Sequence, residues 1–147
     1  MGHKGGTNPP LHEVDLEQLA AFRYALRRFL RFAEESARTA GLTPQQYQAL
    51  LAIAGIPGRS RLTVGELAER LQLHHHSTVG LVDRLEAHGL VARRGVPGDR
   101  RQVAVVLTDA GLDAVIMIAS ANHEELLAIA PEMRRALDHM IENGRLG

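Results

Sequence analysis

Residues 62–111 read LTVGELAERLQLHHHSTVGLVDRLEAHGLVARRGVPGDRRQVAVVLTDAG, and the order of elements in this stretch decides the fold. Thr63 is placed to cap a short helix over residues 64–71, with Glu66 as its capping-box partner and Leu67, Ala68 and Leu71 as the inner face. After Gln72, Leu73 and His74, a second helix fits residues 75–88. Its expected buried face is Val79, Val82 and Leu85, and Gly89 follows as the C′ residue. From Leu90 the period changes. LVARRG and QVAVVL are β-rich runs, and VPGDR between them carries the Pro, Gly and Asp of a turn. The stretch is therefore two short helices in series followed by a hairpin with a basic tip.

Upstream, Thr43-Pro44 has the form of an N-cap followed by an N1 proline, so another helix is expected over Pro44–Ala54. GIPGRSR, residues 55–61, reads as a linker. Over residues 15–39, Leu16, Leu19, Phe22, Leu26, Phe29, Leu30 and Ala33 recur three or four positions apart, the pattern of a long amphipathic helix that Gly41 stops. Downstream of Thr108-Asp109, Leu112, Val115, Ile116, Ala119, Leu126 and Leu127 form another long apolar face. Pro131 is expected to interrupt or restart that helix. A last helix then fits residues 132–143 and ends at Gly144. The first ten residues, MGHKGGTNPP, read as a flexible tail without the apolar stretch of a signal peptide. The longest apolar run, residues 114–119, falls far short of the roughly 20 residues that span a bilayer. A cytoplasmic protein is expected.

The 147 residues, 45% hydrophobic and 23% charged, suit one domain with an ordinary core. Only 3% are aromatic and none is Trp. Such a core is built from Leu, Ala, Val and Ile, which favours helices and argues against a β-sandwich. The 17 basic and 17 acidic residues cancel, but they are segregated. Residues 59–101 hold eight Lys/Arg against five Asp/Glu, whereas residues 102–147 hold three against seven. Without cysteine, disulfides, thiolate metal sites and cysteine-based peroxide sensing are excluded. No Gly-rich phosphate loop, nucleophile elbow or metal-protease helix motif occurs. Glu34-Glu35 and Glu124-Glu125 read as solvated helix faces, so neither an enzyme nor a cofactor is expected. The run His74-His75-His76 cannot converge on one metal ion, because consecutive helical residues point about 100° apart.

The fold class that follows is mainly α with a small β-hairpin wing, in which a winged helix-turn-helix is flanked by N- and C-terminal helices. In such a fold the second short helix reads the major groove of DNA, and the hairpin reaches an adjacent minor groove. The flanking helices carry more apolar surface than a winged core of roughly 65 residues covers. A dimer would bury it.

The residues also resemble a known family. Asp99-Arg100-Arg101 through Leu107-Thr108 has the form DRR-x5-LT, LVDRLEAHGLV precedes it, and Leu42 to Gln46 has the form LTxxQ. As an ordered set over residues 11–146 these are similar to the MarR family of bacterial transcriptional regulators. The resemblance implies a tail at 1–10 and one domain at 11–147. Within that domain, dimerisation helices occupy 11–40 and 109–146, and a DNA-binding lobe occupies 42–108. It further implies a homodimer on a pseudo-palindromic operator. Arg101 then matches the wing arginine that enters the minor groove, and Asp99 the carboxylate that orients it. A narrow A·T-rich groove concentrates negative potential, where an oriented guanidinium fits. His75, His76, Ser77 and Gly80 are candidates for groove contacts. Gly80 departs from the basic residue that many members carry, so it either permits close backbone approach or only weakens the helix. Arg84, Arg93 and Arg94 read as phosphate contacts, with pairing of Arg84 to Asp83 or Glu86 as the other reading. Arg100 is a further DNA-binding candidate at the tip; the other readings are a turn residue for Asp99 and a solvated tip for Arg100 and Arg101. By the same resemblance a small phenolic or anionic effector binds in a cleft between the long helices and the lobe. Arg23, Tyr24, Arg27, Tyr47 and His123 are candidates to line it, against Tyr47 as core and His123 as surface or interface. The expected function is a dimeric, sequence-specific, ligand-responsive regulator, a repressor by family habit. The alternative is a winged-helix interaction module without specific DNA binding, which Gly80 and the zero net charge motivate.

Overall fold

The computed structural model describes residue 11, residues 13–58 and residues 61–146. The expected tail at residues 1–10 lies outside the described residues. In chain order the elements are α1 (Glu13–Thr39), α2 (Pro44–Ala54), β1 (Arg61–Thr63), α3 (Val64–Leu71), α4 (His75–Ala87), β2 (Val91–Val96), β3 (Asp99–Leu107) and α5 (Asp109–Leu146). The chain is mainly helical with one three-stranded antiparallel sheet, in the order β1-β3-β2. Two compact units divide it. One is the lobe, Ala33–His123, and the other is helical, drawing on α1 up to Phe32 and on α5 from Glu124.

Local chemistry sets the short helices of the lobe. Thr43 caps α2 in a full capping box: its hydroxyl accepts from the Gln46 amide at 3.1 Å, and the Gln46 side chain accepts from the Thr43 amide at 3.0 Å. Thr63 and Glu66 repeat the device on α3, at 3.1 and 3.3 Å. Gln72 then turns the chain with a left-handed φ of 53°, and the Leu73 amide closes the turn by donating to the Ala68 carbonyl at 3.0 Å. That tight turn launches α4 three residues after α3.

The lobe's core joins all of its elements. Leu50 and Ile53 of α2, Leu67 of α3, Leu81, Val82 and Leu85 of α4, Leu62 and Val105 of the sheet, and Val115 and Ile118 of α5 are all buried. The inward face of α4 is rotated from the expected one: Thr78, Leu81, Val82 and Leu85 are buried, while Val79 is half-buried. Thr78 can face inward because its hydroxyl donates to the His74 carbonyl at 3.0 Å. β1 is a second departure, since these residues lay in the expected linker or at its edge. Leu62, 1% exposed, pairs with Val105 across the ladder. Three residues are too few for an alternating pattern to be seen in sequence.

α5 is a third departure, for it runs through Pro131 and past Gly144 without a break. The proline removes the amide that would bond the Leu127 carbonyl. Pro131 and Leu127 both face solvent, so water can take that carbonyl, while Ile129 and Ala136 on either side are buried and hold the helix in place. In the helical unit the Arg28 guanidinium pairs with Glu132 at 3.2 Å, and the Asn143 amide donates to Asp15 at 3.3 Å. The two contacts run in opposite directions along the chain, so these segments of α1 and α5 are antiparallel. Leu16, Leu19, Leu127, Leu137 and Ile141 remain exposed in this unit.

At the junction of the lobe, the Thr108 hydroxyl donates to the Gly89 carbonyl at 2.6 Å and accepts from the Gly111 amide at 3.1 Å. The Thr108 amide donates to the Leu90 carbonyl at 3.1 Å. This draws the first turn of α5 so close that a Cβ on Gly111 would run into the Leu90 carbonyl oxygen. Gly80 differs, since a Cβ there would meet only an Arg84 guanidinium nitrogen at 3.7 Å. Gly111→Ala should therefore cost about 1–3 kcal/mol, as overpacking does. Gly80→Ala should add about 0.5–1 kcal/mol as ordinary helix propensity. Urea unfolding of the two variants, with unchanged m, checks both signs.

Candidate nucleic-acid interface

α4 and the β2–β3 hairpin lie in the same lobe and present its concentration of positive charge. The buried set on α4 leaves His76, Gly80, Asp83 and Ala87 on the opposite side of the helix, about 180° away. His75, His76 and Ser77 are exposed in the first turn, and Gly80 is half-buried one turn on. The N-cap residue His74 makes no side-chain capping hydrogen bond to the first turn. That end of α4 suits an anion such as a phosphate.

The hairpin projects its arginines by a break in pairing. β2 and β3 run in register from Val91↔Leu107 to Gly95↔Val103, and the next pair is Val96↔Asp99. Arg100, Arg101 and Gln102 thus have no partner across the ladder and stand out at the tip, exposed. The turn at Pro97-Gly98 uses a left-handed glycine with φ of 82°. Asp99 accepts a hydrogen bond from the Arg101 backbone amide at 2.9 Å. Its carboxylate orders the backbone of the tip; the expected contact with the Arg101 guanidinium is absent among the described residues.

The arginines divide into two kinds. Arg84, Arg94, Arg100 and Arg101 have no carboxylate partner among the described residues. The alternative pairing of Arg84 with Asp83 or Glu86 does not occur, because Arg93 occupies both. Its guanidinium donates to Asp83 at 2.6 Å and to Glu86 at 2.8 Å, and its backbone amide donates to Glu86 at 3.2 Å. Arg93, expected as a phosphate contact, is instead tied to α4. The Asp83 hydrogen bond, opposed by desolvation and helped by the charge of Glu86, raises the Arg93 pKa. A raised pKa of this kind contributes stability that is lost only above the guanidinium's own range. Sequence reading missed this clamp, whose signal is Asp83 and Glu86 three apart on one helix side. It also missed Thr108 and Gly111, which hold α5 to the base of the wing.

The candidate effector residues fall in both units. Arg23, Tyr24 and Arg27 are exposed on the part of α1 in the helical unit, with the Arg28 guanidinium 5.5 Å from the Tyr24 ring centroid. Tyr47 and His123 belong to the lobe, where Tyr47 is 6% exposed within the hydrophobic core and His123 is at the surface. Among the described residues no group of three or more His, Cys, Asp or Glu is placed to hold a metal ion. No helix there is long and apolar enough to cross a membrane.

Comparison with known proteins agrees with this geometry. A profile described as the MarR family matches residues 40–102. A putative transcriptional regulatory protein for the hcr operon of Thauera aromatica is 36% identical over 104 residues, covering 71% of this chain and 57% of that protein. The chain spans about half to three-fifths of the length of the first curated relatives it matches. The transcriptional repressor NicR of Pseudomonas putida is 32% identical over 128 residues, 79% of each chain. The MarR family regulator Sco3205 of Streptomyces coelicolor, solved in complex with DNA, shares the fold with a TM-score of 0.67 and 23% identity, over 91% of this chain and 87% of that one. With its helix-turn-helix lobe, basic wing tip and matching profile, the chain belongs to the MarR family of transcriptional regulators.

Proposed function

We propose that this chain acts as a homodimeric repressor that binds a pseudo-palindromic operator through α4 and the wing, and that a small phenolic or anionic molecule weakens its hold. The observation that carries the reading is the wing tip. Arg100 and Arg101 stand outside the ladder, uncompensated by carboxylates among the described residues, on a backbone ordered by Asp99. Such a tip suits the negative potential of a narrow minor groove. His75, His76, Ser77 and Gly80 then face bases in the major groove, while Arg84, Arg94 and Arg100 serve phosphates. Half-sites for a two-fold dimer lie roughly 10 bp apart.

The dimer reading rests on Leu16, Leu19, Leu127, Leu137 and Ile141, apolar and exposed on the helical unit. Burying two such side chains is worth about 3–6 kcal/mol, so Leu137→Glu with Ile141→Glu should weaken self-association at least about a hundredfold. Sedimentation equilibrium reads this directly, and a monomeric parent chain would overturn the dimer.

Fluorescence anisotropy against the chain's own upstream DNA and scrambled DNA, over a salt series, tests the operator reading. Preference for the former should reach roughly 10³-fold, with affinity falling steeply as salt rises. Arg101→Ala should cost about 1–3 kcal/mol, or about 5–150-fold. Equal, weak binding to both duplexes and no effect of Arg101→Ala would favour the interaction module.

Effector and operator must oppose each other reciprocally, since a ligand releases DNA only through unequal affinity for the two states. A panel of small phenols and aromatic carboxylates, titrated with and without operator, should give the same coupling factor from either side. Operator affinity unmoved by every compound that binds would remove the sensing role.

A further inference from the structure

The structure assigns Arg93 a role as a positioning residue for DNA binding that acts through Asp83 and Glu86, fastening the wing to α4 and screening two carboxylates on the recognition helix. This rests on the operator reading above.

Asp83 lies in the outward stripe of α4 with His76 and Gly80, away from buried Thr78, Leu81, Val82 and Leu85. An unscreened carboxylate there would face the phosphates that the neighbouring arginines attract, and like charges oppose binding over roughly the Debye length of about 8–10 Å. Arg93 is built to prevent this. One guanidinium nitrogen meets Asp83 at 2.6 Å and another meets Glu86 at 2.8 Å. Glu86 also receives the Arg93 amide at 3.2 Å, so it grips the strand by main chain and side chain together. Only 28% of the Arg93 side chain is exposed, against 61% for Asp83 and 44% for Glu86. A planar guanidinium can serve two carboxylates in one fixed geometry, whereas an ammonium serves them as a point charge.

The geometry also fixes what the wing can do. β2 carries Arg93, and Arg94 follows with its guanidinium directed back to the Arg93 carbonyl at 3.3 Å. The root of the hairpin is thus tied to the middle of α4, and the unpaired tip at Arg100 to Gln102 projects from a base referenced to the recognition helix. A direct phosphate contact by Arg93 would require no carboxylate partner at all, and its effect on DNA binding would not depend on residues 83 and 86.

That difference makes a mutant cycle decisive. Arg93→Gln is compared in two backgrounds, native and Asp83→Asn with Glu86→Gln, by anisotropy titration of the full chain against operator and scrambled duplex. If Arg93 acts through the carboxylates, Arg93→Gln should weaken operator binding at least about tenfold in the native background and less than about threefold in the neutralised one. Equal losses in both backgrounds would make Arg93 a direct DNA contact and overturn the inference. Arg93→Lys should fall between the native chain and Arg93→Gln, because it keeps the charge and loses the two-carboxylate geometry. Arg101→Ala reads the fastening itself: its loss should be smaller in the neutralised background, where the wing is untied from α4, and equal losses in both backgrounds would overturn the fastening. Urea midpoints of all variants report whether a loss reflects unfolding, and a loss that tracks the midpoint alone also overturns the inference. If the native chain binds neither duplex, the operator reading fails and the inference falls with it; if native binding is specific and the cycle shows no coupling, only the inference falls.

Discussion

The carbonyls of Gly89 and Leu90 sit where α4 has ended, β2 begins, β3 returns and α5 departs. Thr108 bonds both, by hydroxyl at 2.6 Å and by amide at 3.1 Å, and its hydroxyl also caps the Gly111 amide. One residue thus closes the hairpin, starts the long helix and ties both to the end of α4. The condition is steric as well as polar, since the first turn of α5 rests on the Leu90 carbonyl and leaves no room for a side chain at Gly111. The strand register, the root of the wing and the burial of Val115 and Ile118 all inherit this close approach.

Much of this architecture can be read in the chain because its signals are local. Thr43-Pro44 with Gln46, and Thr63 with Glu66, are complete capping instructions within four residues, and both capping boxes form. The hairpin is announced by Pro97-Gly98 between two β-rich runs. What could not be read depends on partners far along the chain. β1 exists because Leu62 finds Val105, more than forty residues away. The inward rotation of α4 to Thr78 follows from a hydroxyl satisfied by its own helix, which hydropathy scores as polar. The continuity of α5 through Pro131 depends on where that turn faces, a fact of packing that composition does not hold.

The site shows the same division. The basic tip at Asp99-Arg100-Arg101 is legible, down to the turn that presents it. The fate of Arg93 is not, because five arginines between residues 84 and 101 look alike in sequence. Only the fold distinguishes the one whose charge is already committed from those whose charge is available. Asp99 makes a related point: its expected guanidinium contact is replaced by a backbone one, which orders the chain around Arg101 and leaves its charge undiminished. The effector candidates are divided between the two units, and Tyr47 has the core packing that its other reading expected.

The break in the β2–β3 ladder has an evolutionary consequence. Arg100, Arg101 and Gln102 have no partner residue across the ladder, and the ladder below them is complete from Val91 to Gly95 without their help. Substitution of these three exposed side chains disturbs no ladder pair, while on the proposed operator reading every change alters what the tip offers to a groove. On that reading selection can retune the reach and sequence preference of the wing one side chain at a time, with the hydrophobic core as a fixed chassis beneath it.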